Sequence, residues 1–265
     1  MVGREISNYY FKPEPPKTKE IVFEVRNLTR AGMFNNVSFK LYKGEILGVA
    51  GLIGAGRTEV MRAAFGADPY DSGECLMDGK PYKAKTPKDT IKKGLGLIPE
   101  DRRGQGLLLE KNVKENTSLA SLFANSNHGF INFGWEKQES VSYIEKLRIK
   151  TPSELALLKN LSGGNQQKVV IAKWLLAKSR ILIMDEPTRG IDVNAKSEIY
   201  ALMKEFVENG GSIILVSSEL PEIIGCSNRI MVMREGVVTG FLDQDEATEE
   251  RVMQFASKGT NQEEK

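Results

Sequence analysis

Apolar and polar residues alternate over Ile21 to Val25 and again over Val37 to Leu41, which predicts two half-buried strands near the start of the chain. Lys43-Gly44 supplies a turn, and Glu45 to Ala50 is then an almost unbroken apolar run, the pattern of a strand covered on both faces. A helical pattern follows over Glu59 to Phe65. The stretch SGECLMDGKPY, between Asp71 and Tyr82, predicts a hairpin turning at Asp78-Gly79. Thr86 to Lys93 predicts a short helix and Gly96 to Pro99 a buried strand. Helical apolar spacing recurs over Val113 to Ala124 and Trp135 to Leu147, and again over Gln166 to Ala177, where Val169, Val170, Ala172, Trp174, Leu175 and Leu176 supply an anchoring face. Ile181 to Met184 and Ser212 to Val216 predict buried strands on either side of a helix over Val193 to Glu208. Two last strands, Arg229 to Met233 and Gly236 to Phe241, flank a turn at Glu235-Gly236, and Glu246 to Phe255 predicts the final helix. Short buried strands interleaved with helices predict an α/β fold.

Composition narrows the class without naming a function. A chain of 265 residues can bury a substantial core, as one large α/β domain or a core with a small lobe. The 37 Lys and Arg against 35 Asp and Glu leave no electrostatic case for nucleic acid. No apolar run reaches the roughly 18 residues of a membrane span, and the first residues lack the apolar core of a signal peptide. Cys75 and Cys226 have no metal-ligand spacing around them and read as free thiols of a reducing compartment, the cytoplasm. The one histidine, His128, sits in the loop-like stretch ANSNHGF and is expected to do nothing catalytic.

Three motifs carry the chemistry. GLIGAGRT (Gly51, Leu52, Ile53, Gly54, Ala55, Gly56, Arg57, Thr58) lies between an apolar strand and the helix that Glu59 opens, the strand–loop–helix setting of a phosphate loop. Its glycines let backbone N–H groups turn inward onto phosphate oxygens, and Thr58 can place a hydroxyl on Mg²⁺. Arg57 stands where G-x-x-x-x-G-K-[ST] has lysine; a planar guanidinium is larger and differently forked than an ammonium, so this loop is expected to hold nucleotide poorly for chemistry. LSGGNQQK (Leu161 to Lys168) comes second. A Ser-Gly-Gly turn opening a helix offers N–H groups, a hydroxyl and the positive end of the helix dipole, an anion seat; taken alone it also reads as a flexible loop before a helix. The apolar run ILIMDEP (Ile181 to Pro187), third, ends a buried strand in Asp185 and Glu186.

In that order, the three motifs resemble the nucleotide-binding domain of ATP-binding cassette (ABC) transporters. LSGGNQQK, EPTRGID and SSELPE are similar to the simple-sugar importers of that family, nearest to the ribose type. The resemblance implies a P-loop NTPase core of mixed sheet with flanking helices, an N-terminal antiparallel β subdomain and a helical signature subdomain over about residues 105–178. It implies ATP and Mg²⁺ as ligands, with Thr58 and Asp185 on the metal and Glu186 polarising the attacking water. Ser162, Gly163, Gly164 and Gln166 would meet the γ-phosphate and ribose of a nucleotide held by a partner half, and Asp192 belongs to the loop that crosses to that half. The family usually has glutamine at the position of Glu100, which contacts Mg²⁺ and the water; the carboxylate here reads either as a cation contact or as part of a surface ion-pair cluster in EDRR. The family's histidine after the strand Ser212 to Val216 is replaced by Ser218. Phe34 is the sole aromatic near the first strands that could stack on adenine, or it is a core residue. Phe130, Phe133 and Trp135 face either a partner or the packing of a small helical lobe.

The same resemblance extends to organisation. MVGRE is similar to the segment closing the first cassette of importers whose two halves share a polypeptide about twice this length, so residues 1–20, rich in proline, are expected to be a linker from a preceding nucleotide-binding half. Residues 21–258 would form the domain and 259–265 a disordered tail. Implied partners are that N-terminal half, membrane permease subunits and, through them, a periplasmic or extracellular sugar-binding protein, with the chain peripheral on the cytoplasmic face of the membrane. Arg57, Glu100 and Ser218 would make the local site weak while the signature turn completes the strong site of the other half. A soluble ABC protein of DNA repair would need sustained heptads between the phosphate loop and the signature, and none occur; a translation type would carry a basic segment, and charge here is dispersed. A half that only gates its neighbour by binding nucleotide is the remaining alternative.

Overall fold

The computed structural model describes residues 10–82, 86–127 and 130–257, so the expectations for His128, residues 1–9 and the tail lie outside the described residues. Two sheets share one hydrophobic core. Strands β1 (Ile21–Arg30), β2 (Phe34–Tyr42), β4 (Ser72–Met77) and β5 (Lys80–Tyr82) form an antiparallel sheet in the order β2-β1-β4-β5. The other sheet contains β3 (Ile46–Gly51), β6 (Leu95–Ile98), β9 (Ile181–Asp185), β10 (Ser212–Val216), β11 (Arg229–Arg234) and β12 (Val237–Asp243), in the order β12-β11-β3-β10-β9-β6. All its pairs are parallel except β11 with β12.

Helices cover the second sheet, which explains its continuous apolar strands: every residue of β6, β9 and β10 is buried. They are α1 (Arg57–Phe65), α2 (Pro87–Lys92), α5 (Gly163–Leu176), α6 (Val193–Glu208), α7 (Leu220–Cys226) and α8 (Glu249–Ser257). An edge-to-face contact of Phe65 with Trp174, ring centroids 5.9 Å apart, joins α1 to α5. The register decides where chemistry can happen. Gly51 pairs with Met233, Val216 with Asp185, and Ile98 with Met184, so the carboxyl ends of β3, β9, β10 and β6 open along one edge of the sheet.

A helical lobe made by α3 (Val113–Ser118), α4 (Phe133–Lys146) and the start of α5 packs beside this edge. The helix expected over Val113 to Ala124 stops at Ser118. Its start is secured by a capping box between Asn112 and Glu115, but the Thr117 hydroxyl donates back to the Val113 carbonyl and Ser121 to that of Ser118. Hydroxyls that satisfy backbone carbonyls locally weaken the case for continuing the helix, and the chain passes instead into a 3-10 turn and a short ladder, β7 (Ser126–Asn127) with β8 (Phe130–Ile131).

The stretch expected to be a linker is held to the domain from Tyr10 onward. Tyr10 packs on Tyr200 of α6 at 5.3 Å between centroids, the Asn228 amide donates to the Glu14 carbonyl at 2.8 Å, and Lys43 N–H donates to that of Glu20. Proline-rich composition hid the two aromatics that anchor it, Tyr10 and Phe11, both packed against the core. No helix among the described residues is long and apolar enough to cross a membrane. Replacing Tyr10 by Ala removes the aromatic pair and is expected to cost about 1–2 kcal/mol, visible as a Tm several degrees lower in thermal unfolding; an unchanged Tm would mean that the segment is not part of the folded unit.

Candidate functional site

The phosphate loop runs from the end of β3 to the start of α1. Backbone crowding requires two of its glycines: a Cβ on Gly51 would lie 2.4 Å from the Met233 carbonyl oxygen, and Gly56, left-handed at φ 87°, is wedged against Gly236. The turn of β11 into β12 thus clasps the loop, with Gly236 N–H donating to Ala55 O. No side chain caps α1, so its first N–H groups and its dipole face outward, toward where an anion would sit. Leu52 and Ile53 are exposed at the tip, Ile53 at 96%.

Beside the loop, β9 delivers Asp185 into a small cavity of about 80 Å³ lined by Thr58, Arg62, Leu97, Pro99, Glu100 and Gln105 among others. Asp185 is buried and its Oδ1 has no hydrogen-bond partner. Burial pushes its carboxyl up to about 6, opposed by a hydrogen bond from Thr58 and by the charge of Arg57. An orphaned carboxylate oxygen next to a hydroxyl is a hard-oxygen donor set, and it fits Mg²⁺. Among the described residues no cluster of three or more His, Cys, Asp or Glu could cage a metal. Phosphate oxygens and water would therefore have to complete the shell, as magnesium sites on nucleotides usually do.

Glu186 follows in a left-handed conformation, φ 48°. One of its carboxylate oxygens is hydrogen-bonded and the other faces a cation. Oε2 accepts from the Ser218 hydroxyl at 3.1 Å, and Oε1 lies 3.9 Å from Nη2 of Arg57. Arg57 turns its other arm to the Ser217 carbonyl, Nη1 to O at 2.8 Å. Both side chains are largely buried, at 10% and 9% exposure. Burial raises the Glu186 carboxyl, and the Ser218 hydrogen bond and the Arg57 charge oppose that rise; burial lowers Arg57, countered by Glu186. The guanidinium therefore lies sideways between the ends of β9 and β10, and two of the three residues expected to depart from the usual motifs, Arg57 and Ser218, meet on one carboxylate.

Glu100 lines the Asp185 cavity and forms an ion pair with Arg189, so both readings of its sequence find support. Phe34 is 3% exposed within the core, which decides its two readings in favour of packing. Glu59, in the first turn of α1, is half-buried.

The second turn is separate. Ser162 is exposed at the N-cap position of α5, its Oγ accepting from the Asn165 amide at 2.9 Å, and Gly163 and Gly164 open the helix. Among the described residues no hydrogen bond joins residues 162–164 to the loop 51–58. Gly164 is packed on Ala195, where a Cβ would come within 2.5 Å. Asp192 caps α6 by accepting from Ala195 N–H at 3.0 Å, so the signature turn and the Asp192 loop sit against each other. Gln166 does not join them. It is fully buried, its amide donating to Leu158 O and its oxygen accepting from Arg103, and the expected contact with ribose is corrected accordingly: one turn into α5 its side chain points into the lobe. Sequence reasoning also passed over Arg102, which reaches two carbonyls of the loop after Glu186; the doubled arginine in EDRR was its only signal.

Comparison with known proteins places these features. Residues 34–189 match the family model described as ABC transporter. The ribose import ATP-binding protein RbsA of Oceanobacillus iheyensis is 51% identical over 263 residues, covering 99% of this chain and 53% of that protein. RbsA of Bacillus subtilis is 50% identical over 259 residues, 98% of this chain and 52% of its own length. A putative ribose/galactose/methyl galactoside import ATP-binding protein of Rhizobium etli is 52% identical over 259 residues, 98% and 49%. The chain thus spans about half the length of the curated relatives it matches. Among solved structures, a nucleotide-free ATP-binding cassette from an ABC transporter superposes with a TM-score of 0.73 at 18% identity, covering 90% of this chain and 100% of that one. A dimeric cassette in a post-hydrolysis state with ADP and Pi gives 0.73 at 20%, covering 84% and 98%. At such identities these two establish the fold alone.

The buried charge of Asp185 has a stability consequence. Burial holds its folded pKa at about 6, above the ordinary aspartate value of 3.8, so the folded state is penalised in full above about pH 6 and relieved as pH falls toward 4. Asp185→Asn is expected to stabilise the metal-free chain at pH 8, by up to about 3 kcal/mol, with the gain shrinking toward pH 4. Urea unfolding of both proteins at pH 8 and pH 4.5 measures this, and a pH-independent difference would show that desolvation of Asp185 is not its cause.

Proposed function

The chain belongs to the ABC transporter family, and from that premise we propose that it is the second ATP-binding half of an importer for a simple sugar such as ribose, coupling ATP binding and hydrolysis to transport. The observation that carries the division of labour is the state of Glu186. The Ser218 hydroxyl donates to its Oε2, and the Arg57 guanidinium lies within ion-pair distance of its Oε1; a cation beside a carboxylate favours the charged form and makes it a poorer proton acceptor toward water. The backbone of residues 51–58 still offers an anion cradle, so ATP with Mg²⁺ on Thr58 and Asp185 is bound more readily than it is cleaved. Magnesium, when bound, neutralises phosphate charge. Ser162 meanwhile stands exposed and the Ser162–Gly164 turn lies apart from the chain's own loop, available to a triphosphate held by a partner half, with Asp192 beside it.

Surface chemistry supports the partners. Exposed apolar residues cluster along the partner-facing elements: Leu52 and Ile53 on the phosphate loop and Val193 next to Asp192. Such residues at loop tips need cover, and a preceding nucleotide-binding half of the same polypeptide provides it. On the helical lobe Phe123, Phe130 and Phe133 are exposed, at 78%, 78% and 68%, and Leu119 borders a groove of about 340 Å³ between lobe and core with Ile91, Leu97, Pro99 and Trp174. That apolar groove suits a segment of membrane permease subunits, through which a periplasmic or extracellular sugar-binding protein would deliver the sugar. The chain would then lie peripherally on the cytoplasmic face of the membrane. The alternative of a purely regulatory half shares the engaged Glu186 and differs in what Ser162 does.

Two measurements test this reading. The purified chain is expected to bind ATP with magnesium in calorimetry yet turn it over slowly, with Glu186→Gln changing that rate little; brisk hydrolysis that depends on Glu186 would overturn it. In the assembled two-half protein, Ser162→Ala is expected to cost roughly 100-fold in kcat, the scale of losing one donor to a developing charge, whereas full turnover would leave only the regulatory role.

A further inference from the structure

Arg102 lies at the crossing of three segments. It opens a single-turn π-helix (Arg102–Gly106), separated from β6 by three residues and fixed by Asp101, whose carboxylate accepts from Gly104 N–H at 2.9 Å. From there its guanidinium reaches the loop that follows Glu186: Nη1 donates to Arg189 O at 2.8 Å and Nη2 to Gly190 O at 3.2 Å. The same Nη2 lies 2.7 Å from where a Cβ on Gly163 would be, and Gly190 O lies 3.1 Å from that point. The fork therefore slides between the signature turn and the Gly190 loop, and only glycine at 163 leaves room for it. Its neighbours reinforce the grip. Glu100 pairs with the Arg189 side chain, and Arg103 Nε donates to the oxygen of buried Gln166 at 3.3 Å. No carboxylate within ion-pair distance neutralises Arg102 among the described residues, and its Nε is buried without a partner. Its fixed partners are the two carbonyls.

We propose that Arg102 is a positioning residue for the turn that this chain lends to the neighbouring nucleotide, holding Ser162–Gly164 and Gly190–Asp192 as one rigid body. The inference rests on the lent-turn reading above. Two adjacent carbonyls in a loop with a left-handed glycine, Gly190 at φ 67°, have no ladder to hold them, and a planar fork satisfies both at once. An ammonium would satisfy one and could not fill the same slot. Because Asp192 caps α6 and Gly164 packs on Ala195 of that helix, displacing the loop displaces the turn.

Hydrogen exchange on the folded chain and ATP turnover in the assembled two-half protein test this together. In Arg102→Ala, amides of residues 189–192 and 162–165 are expected to exchange faster while the sheet is unchanged. kcat should fall on the order of 100-fold, the effect of a misplacement near 1 Å, with KM for ATP altered less than about twofold because ground-state binding is untouched. Arg102→Lys is expected to lose nearly as much, since it keeps charge and removes the fork; it also decides the matter should the alanine variant fail to fold. Normal kcat in the lysine variant, or unchanged exchange at 189–192, overturns the proposal. With Ser162→Ala as the parallel control, loss there but not at Arg102 refutes the strut alone, and full turnover in Ser162→Ala refutes the lent turn beneath it.

Discussion

A buried guanidinium needs partners, and the choice of partners for Arg57 organises this site. Desolvation disfavours its charge, so it settles where a carbonyl and a carboxylate are within reach, Ser217 O and Glu186. Those two groups lie together because β9 and β10 are parallel neighbours in register, Asp185 opposite Val216. A lysine at the same place would carry a compact charge able to extend along the loop toward phosphate; the fork is satisfied laterally instead. Ser218 follows the same logic, its hydroxyl donating to Glu186. Two residues far apart in sequence thus converge on one carboxylate.

What remains intact is the part that does not depend on that carboxylate. The turn at Ser162, the Asp192 cap and the loop between Glu186 and Asp192 are held by backbone hydrogen bonds, glycine contacts and the arginines of EDRR. None of those contacts passes through Arg57. The two sets of residues share the ends of the same strands, and the loop meets Glu186 through its main chain, Arg189 N–H donating to the Glu186 carbonyl at 3.1 Å, and not through its carboxylate.

Most of the fold could be read from the chain, and the reason is physical. Strands covered on both faces must be apolar throughout, so β3, β6, β9 and β10 announce themselves, and glycines forced by backbone crowding mark the phosphate loop. Where the reading missed, side chains acted on the backbone locally. Helix α3 ended early because Thr117 and Ser121 bond their own turn, and the proline-rich start concealed Tyr10 and Phe11 as anchors. In the site, residue types were legible and directions were not. Arg57, Asp185, Glu186 and Ser218 could be nominated by motif, yet that Arg57 turns toward Glu186 depends on the pairing of β9 with β10, and Gln166 was misplaced because one helical turn decides whether a side chain faces a ligand or the lobe.

The same distinction explains why EDRR escaped attention beyond Glu100. A run of charges after a strand usually ends up solvated, and pairs such as Glu100 with Arg189 are worth little on their own. Arg102 differs because its hydrogen bonds go to main-chain carbonyls rather than to a mobile carboxylate. Charge-assisted bonds of that kind are strong, and they constrain backbone position. In this chain the segment after β6 borders the Asp185 cavity on one side and grips the signature turn on the other, so a shift of β6's end relative to the cavity has a rigid route to the surface that faces the partner.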